Sequence, residues 1–309
     1  LAERRDAPFR GSGSLCGSRG ARKGQYNGPR ISTEDRRLTH SPVDSKASDR
    51  SRWSLGQLAA LACTWEVCAA KPGNVHRGAD FDDVTVGDFL TSGLAITPWI
   101  QSAGETSLGA AVLGCIESTR DAVGTNTNLG MVLLLVPLAK AANRSLDSLE
   151  DGVRSVLDSL TPEDSRDVYQ AINLAQPGGL GRRDSMDIRA EAPEDLLAAM
   201  RHASERDRVA KQYVSGFEDV LRVVAPNLVG HLEAGLSLSQ AIVHEHIACL
   251  SRWGDSLIVR KCGEKIDQRV RHLAGAILES GNPGEESYHQ AVSDFDFWLR
   301  SDGRRRNPG

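Results

Sequence analysis

The chain has 309 residues, of which 40% are hydrophobic and only 5% aromatic, and its formal net charge is -4. This average combines residues 1–50, with a net charge of +5, and residues 51–309, with a net charge of -9. Such an acidic body disfavours nucleic-acid binding, which depends on clustered Lys and Arg, and no apolar run is long enough to cross a bilayer.

Residues 1–50 are predicted to be a disordered basic leader. They are rich in Gly, Ser and Arg and lack the continuous apolar segment of a secretory signal. The six cysteines of the chain form no CxxC pair, and free thiols on apolar helix faces behave as small hydrophobic groups. This usage predicts a reducing, cytoplasmic location.

The first predicted helix begins after Ser54, whose side chain can cap it, and ends at the turn Lys71-Pro72-Gly73. Apolar residues recur along it at i, i+3, i+4 and i+7, which is the pattern of one buried helix face. The predicted face consists of Leu58, Leu61, Ala62 and Trp65. An irregular polar loop is expected to follow the turn.

A second helix is predicted to begin at Thr85, with Asp88 in the capping-box position. Its predicted inner face carries Phe89, Leu90 and Leu94. Pro98 is expected to kink it.

The rest of the chain also shows a helical period. A third helix is predicted from Ser107, and a fourth from Leu129 to Ala142 is almost wholly apolar and therefore central. Thr161-Pro162-Glu163-Asp164 begins another helix, which is expected to break at residues 177–181. Further periodic stretches cover about 193–221, 237–251 and 264–279, and a last one ends near Leu299. Strand-like alternation is almost absent, so the predicted fold is all-α, a single multi-helix domain over residues 51–309.

Three polar segments beside buried helices are interpreted as loops, where functional residues concentrate. The first runs from Glu66 to His76. In it, Glu66 could hold a divalent cation or accept a proton, and Lys71 could contact a phosphate. An exposed ion pair at a helix end explains the same two residues.

The second and third segments have similar alternatives. Residues 124–130 precede the most apolar helix, where backbone N–H groups bind anions, but an Asn/Thr cluster is also an ordinary helix cap. In residues 253–263, Asp255 could complete a Mg²⁺ site with Glu66, and Arg260 and Lys261 could meet phosphate oxygens. A solvated helix end explains this third segment almost as well.

Taken in order, these segments resemble the triphosphoribosyl-dephospho-CoA synthase family. The resemblance rests on Glu66-Val67 with Lys71-Pro72-Gly73-Asn74-Val75, on Thr125-Asn126-Thr127-Asn128-Leu129-Gly130, on Asp207-Arg208-Val209-Ala210 with Gln212-Tyr213, and on Asp255-Ser256-Leu257-Ile258-Val259-Arg260-Lys261. It implies an all-α enzyme that transfers the triphosphoribosyl group of ATP to the ribose 2′-hydroxyl of 3′-dephospho-CoA and releases adenine.

The resemblance also implies which residues form the site. Glu66 and Asp255 are assigned as catalytic carboxylates and Mg²⁺ ligands, without deciding which is the base. ATP or phosphate contacts are expected from Lys71, Asn74, His76, Asn126, Thr127, Asn128, Arg260 and Lys261. The expected partners are small-molecule substrates, and apolar helix faces are equally compatible with a core and with a homodimer interface.

Two departures from the family pattern leave alternatives open. Asn128-Leu129 stand where citrate-lyase-type members carry His-Lys, which removes one phosphate contact. The same ATP chemistry could then serve a different acceptor in one-carbon, tetrahydromethanopterin-type cofactor biosynthesis. Asn307-Pro308-Gly309 resembles the start of a motif that continues with a helix, so a C-terminal truncation is expected. A catalytically silent helical binding protein is the third hypothesis.

Overall fold

The computed structural model of the chain describes residues 53–144, 148–176 and 192–309. These ranges contain α-helices, one π-helical segment and two isolated β-bridges, with no named strand, which confirms the all-α prediction. None of their helices is both long and apolar enough to cross a membrane. The predicted leader and the predicted break at 177–181 lie outside the described residues.

The helices follow one another along the chain with short connections. They are α1 (Leu55–Cys68), α2 (Val86–Ala95), α3 (Thr97–Gln101), α4 (Leu108–Val123), α5 (Leu129–Ala142), α6 (Leu149–Asp158), α7 (Pro162–Ala175), α8 (Leu196–Ala203), α9 (Arg208–Ser215), the π-helical segment (Asp219–Val224), α10 (Ala225–Glu233), α11 (Leu238–Trp253), α12 (Ser256–Cys262), α13 (Glu264–Ser280) and α14 (Glu286–Arg300).

The predicted helix starts are confirmed by their caps. Ser54, Thr85 and Thr161 each accept a hydrogen bond from the backbone N–H three residues later and complete a capping box. Ser107 caps α4 in the same way, without the reciprocal bond. These starts depend on neighbours within one turn, which is why local sequence predicts them.

The predicted buried face of α1 is wrong. Leu58 and Trp65 are exposed, whereas the helix buries Gly56, Ala59, Cys63 and Val67. Small side chains allow α2 and α3 to approach closely: a Cβ added at Gly56 would lie 2.6 Å from the carbonyl oxygen of Thr97. The close contact therefore turns the larger side chains away from the core.

The second helix agrees with the prediction in its start but not in its whole inner face. Leu94 is 66% exposed, because α2 packs through its small residues Ser92 and Gly93. The helical path breaks at Ile96, and α3 begins with Pro98 in its first turn. Pro98 thus marks the break that the sequence predicts.

The apolar helix α5 has the predicted bounds and lies in the core formed by α1 to α9. Pro137, inside this helix, has no N–H to offer to the carbonyl oxygen of Leu133. The buried Tyr213 hydroxyl donates to that oxygen at 2.8 Å. Tyr213 therefore satisfies the backbone acceptor that Pro137 leaves unpaired, and it joins α9 to α5.

The last third of the chain forms a second hydrophobic cluster from α11 to α14. Residues 253–263 are not the predicted loop: α12 occupies most of them, and Asp255 caps its first turn. The periodic stretch at 193–221 is divided between α8 and α9, because Asp207 caps a new helix. The helical spacing of apolar residues did not reveal the new helix starts at Asp207 and Asp255.

Candidate functional site

The end of α1 holds Lys71 against Glu66. The Lys71 Nζ atom lies 2.6 Å from Glu66 Oε1 and donates to the Glu66 carbonyl oxygen at 3.0 Å. Lys71 is 5% exposed, so this is not the exposed ion pair that the sequence also allowed. Glu66 keeps a side chain that is 38% exposed.

The turn after Lys71 is fixed from the C-terminal part of the chain. Gly73 has φ +79° and donates its N–H to Asp296 Oδ1 at 2.7 Å. The Asn307 side-chain amide donates to the Gly73 carbonyl oxygen and to Asn74 Oδ1, both at 2.9 Å. Arg300 donates to the Asn74 carbonyl oxygen. Asp296 and Arg300 stand in no motif of the sequence, whereas Asn307 begins the motif-like Asn307-Pro308-Gly309 but was not assigned to the site.

Two histidines lie next to this turn. Burial, followed by the charge of Arg300, lowers the pKa of His76, whose Nδ1 accepts from the Gly78 N–H at 3.2 Å. Burial and the charge of Lys71 lower the pKa of His246 to about 3, and its ring hydrogen-bonds the Pro72 backbone. His246 Nε2 is buried without a hydrogen-bond partner among the described residues. Both rings are therefore neutral at pH 7, and the sequence analysis did not assign His246.

The side chains of the second segment hold its own loop. Asn126 Oδ1 accepts from the Leu129 N–H at 3.2 Å and so caps α5, while Thr127 donates to the Ser92 hydroxyl at 2.6 Å. Asn128 is 2% exposed and exchanges hydrogen bonds with the Thr119 hydroxyl. The helix-cap interpretation therefore describes Asn126 well.

The third segment presents a half-buried carboxylate. Asp255 Oδ1 accepts from the Ile258 N–H at 2.7 Å, and Oδ2 accepts from the Gly309 N–H at 2.9 Å. Burial raises the pKa of Asp255 despite these hydrogen bonds. Further along α12, Arg260 donates to Asp207 Oδ2 at 2.7 Å, and Lys261 donates to the Arg304 carbonyl oxygen at 3.3 Å.

Contacts join the four family motifs, which begin at Glu66, Thr125, Asp207 and Asp255, one after another. The Asn74–Asn307 hydrogen bond and the Gly309–Asp255 hydrogen bond connect the Glu66 motif to the Asp255 motif through residues 307–309. The Arg260–Asp207 ion pair then connects the Asp255 motif to the Asp207 motif.

The remaining contacts close a ring. A Cβ added at Gly130 would lie 3.9 Å from Val209 Cγ2, so the start of α5 adjoins α9. Thr127 bonds Ser92 on α2, and the neighbouring Gly93 packs against Cys63 on α1, one turn before Glu66. The four motifs, separated in sequence, are thus linked by a closed path of contacts that passes through α2 and through residues 307–309.

Glu66 and Asp255 are the expected metal pair. Among the described residues, no three His, Cys, Asp or Glu side chains form a group that could hold a metal. Asp255 also lines a cleft of about 680 Å³, whose lining does not include Glu66 or Lys71.

Comparison with known proteins identifies the family. The model of ATP:dephospho-CoA triphosphoribosyl transferase, CitG, matches residues 52–309. The fold resembles the crystal structure of an Archaeoglobus fulgidus protein assigned as a triphosphoribosyl-dephospho-CoA synthase, with a TM-score of 0.51 and 21% identity, covering 69% of this chain and 96% of that one. No curated protein sequence matches the chain. Because the family model covers most of the sequence, the chain belongs to the ATP:dephospho-CoA triphosphoribosyl transferase family and is a transferase.

Proposed function

We propose that the protein transfers the 5-triphosphoribosyl group of ATP to the ribose 2′-hydroxyl of 3′-dephospho-CoA and releases adenine. The family uses ATP as a substrate. The observation that carries the proposal is the ring of contacts, in which four separate motif segments adjoin one another.

The proposed reaction breaks the bond between C1′ of the ATP ribose and adenine and forms a bond from C1′ to the acceptor oxygen. Positive charge develops at C1′, so the site must stabilise that charge and hold the triphosphate. It must also take the proton that the 2′-hydroxyl of dephospho-CoA loses. Glu66 and Asp255 are the proposed carboxylates for the charge and the proton. Asp255, whose pKa is raised by burial, binds protons more readily than an exposed aspartate.

Phosphate contacts are proposed for the cations and neutral donors of the ring. Arg260 is suited to this role because its buried Nε has no hydrogen-bond partner among the described residues. The complete proposed set is Lys71, Asn74, His76, Asn126, Thr127, Asn128, Arg260 and Lys261. In this set, Asn128 would contribute through the loop that it holds, since its side chain is buried against Thr119.

Mg²⁺ is proposed to enter with ATP. In nucleotide sites, Mg²⁺ is usually bound by one or two carboxylates together with the substrate phosphates, so a protein cluster of three ligands is not needed. Glu66 and Asp255 fit that donor set and would hold the ion. When bound, Mg²⁺ supplies positive charge that offsets the charge of the triphosphate.

The experiment for the overall function is incubation with Mg-ATP and dephospho-CoA, followed by chromatography of the bases and nucleotides. Free adenine that forms only when dephospho-CoA is present is the expected result. ADP or AMP as the sole nucleotide product would reject the proposal.

A second experiment tests the assignment of Glu66. Glu66→Gln is expected to reduce adenine release by at least about 100-fold, because the amide cannot carry the negative charge. Its melting temperature should fall, because the amide leaves the buried Lys71 ammonium without a counter-ion, so activity is compared at a temperature where circular dichroism shows both proteins folded. The control is Glu163→Gln, an exposed glutamate that pairs with Arg166 on α7 and should retain full activity. Unchanged activity of Glu66→Gln would remove Glu66 from the site.

A different acceptor, in one-carbon cofactor biosynthesis, is the second candidate function. It is favoured by Leu129, a buried apolar residue that leaves no charged group at the position where citrate-lyase-type members carry Lys. ATP binding with slow or absent turnover of dephospho-CoA would support this candidate. Membership of a transferase family favours either enzyme over a catalytically silent binding protein.

A further inference from the structure

A cleft of about 680 Å³ opens beside α9. Only some of the residues in its wall belong to the family motifs. It is bounded by the α8–α9 connection, by α9, by the turn between α11 and α12, and by the first half of α13. This volume lies within the range of about 300–1,000 Å³ that is typical of small-molecule sites.

Several charges in the cleft wall are satisfied within the protein. Asp207 pairs with Arg260 at 2.7 Å, and Arg208 pairs with Asp219 at 2.6 Å. Asp267 is buried and accepts a backbone N–H at 2.6 Å. These groups form the frame of the cleft and do not call for a ligand.

Three cations in the wall lack a counter-ion among the described residues, although Arg206 donates to the His202 carbonyl oxygen at 2.9 Å and Arg271 donates to the Arg252 carbonyl oxygen at 3.1 Å. Within the described residues, no carboxylate pairs with Arg206, Lys211 or Arg271. Arg206 and Lys211 are half-buried, whereas Arg271 lies at the exposed rim with the unpaired carboxylates Glu205 and Glu264. Partly desolvated cations without counter-ions favour an anionic ligand.

The same cleft also has an apolar surface. Trp253, Val214 and Val259 line it, and Val214 is 44% exposed. The Arg208 guanidinium lies 4.5 Å from the centre of the Trp253 ring and keeps that ring in place. A ligand that fits both surfaces has a small number of phosphates joined to a largely uncharged arm.

We infer that this cleft binds the acceptor of the transfer, a dephospho-CoA-type molecule with a diphosphate and a pantetheine arm. The inference rests on the proposed function. Asp255 lies in both the cleft wall and the ring, so an acceptor held here can present its hydroxyl to the ring. Glu66 and Lys71 are outside the cleft lining, so an acceptor held in the cleft would not occupy the proposed ATP contacts at the end of α1.

The test is calorimetric titration with dephospho-CoA and, separately, with Mg-ATP, so that no turnover is required. Lys211→Met and Arg271→Met remove the charge but keep an apolar stem, and Lys265→Met is the matched control on an exposed lysine of α13 outside the cleft lining. Each cleft variant should bind dephospho-CoA at least about tenfold more weakly, because a charge-assisted phosphate contact is lost. Affinity for Mg-ATP, and both affinities of Lys265→Met, should stay within about twofold of the unmodified protein.

Three results would overturn the inference: no binding of dephospho-CoA by the unmodified protein, unchanged binding by both cleft variants, or weakened binding of Mg-ATP in place of dephospho-CoA. The titration separates this inference from the proposed function. Weakened acceptor binding in the variants, together with no adenine release by the unmodified protein, would reject the reaction and keep the binding site. Adenine release with unchanged acceptor binding would reject the binding site alone.

Discussion

At the scale of single residues, the charged groups of the site are held by neighbours far away in the sequence. Glu66 and Lys71 contact each other locally, but Gly73 and Asn74 are fixed by Asp296 and Asn307, more than 220 residues further on. The sequence predicted the local pair because both members stand in one short segment. It could not predict the distant partners, because no local pattern marks Asp296, and the motif-like segment at Asn307 does not say which turn it contacts.

His246 provides a pH-dependent test of the packing beneath this turn. Burial lowers its folded-state pKa from 6.5 to about 3. Its contribution to stability is therefore complete above pH 6.5 and declines as the pH falls toward 3. Over this range the imidazole is protonated in the unfolded chain but stays neutral in the folded protein. The free energy of unfolding should fall by up to about 1.4 kcal/mol per pH unit from this group.

The measurement is urea unfolding at pH values from 7 to 4, for the unmodified protein and for His246→Gln. Removing the imidazole should make the decline with falling pH shallower. Identical slopes for the two proteins would show that His246 titrates alike in the folded and unfolded states.

At the scale of helices, starts were predicted well and buried faces less well. The capping boxes at Ser54, Thr85 and Thr161 depend on residues three apart, so the sequence reveals them directly. The inner face of α1 depends instead on which neighbour packs most closely. Small residues such as Gly56 make the closest contacts of α1, and the spacing of large apolar side chains does not indicate them.

Two helical glycines, one packed between α4 and α7 and one with open space around it on α10, should respond in opposite ways to substitution by Ala. A Cβ at Gly109 would lie 2.6 Å from the Asp164 Cα, so Gly109→Ala should lower the free energy of unfolding by at least about 2 kcal/mol. Gly230 in α10 has no atom within 4 Å of such a Cβ, and Gly230→Ala should raise stability by about 1 kcal/mol. Thermal and urea unfolding of both variants provide the comparison. Destabilisation of equal size in the two would contradict the packing argument.

At the scale of the whole molecule, the helices bring four motif segments into one ring and leave a cleft beside it. The order and the residues of the motifs indicated the family, and the match of the family model to residues 52–309 confirms it. The sequence did not reveal how the segments adjoin. That arrangement depends on helix packing and on contacts such as Arg260–Asp207, whose members are 53 residues apart.

The most direct test of the proposed chemistry follows both ends of ATP in one reaction. ATP labelled in its adenine ring and in its γ-phosphate is incubated with the protein, Mg²⁺ and dephospho-CoA, and the products are separated by chromatography. The adenine label should appear as free adenine, and the γ-phosphate label should appear in the product made from dephospho-CoA. The moles of adenine released should equal the moles of γ-phosphate transferred. Labelled ADP or AMP, or free phosphate without adenine, would contradict triphosphoribosyl transfer.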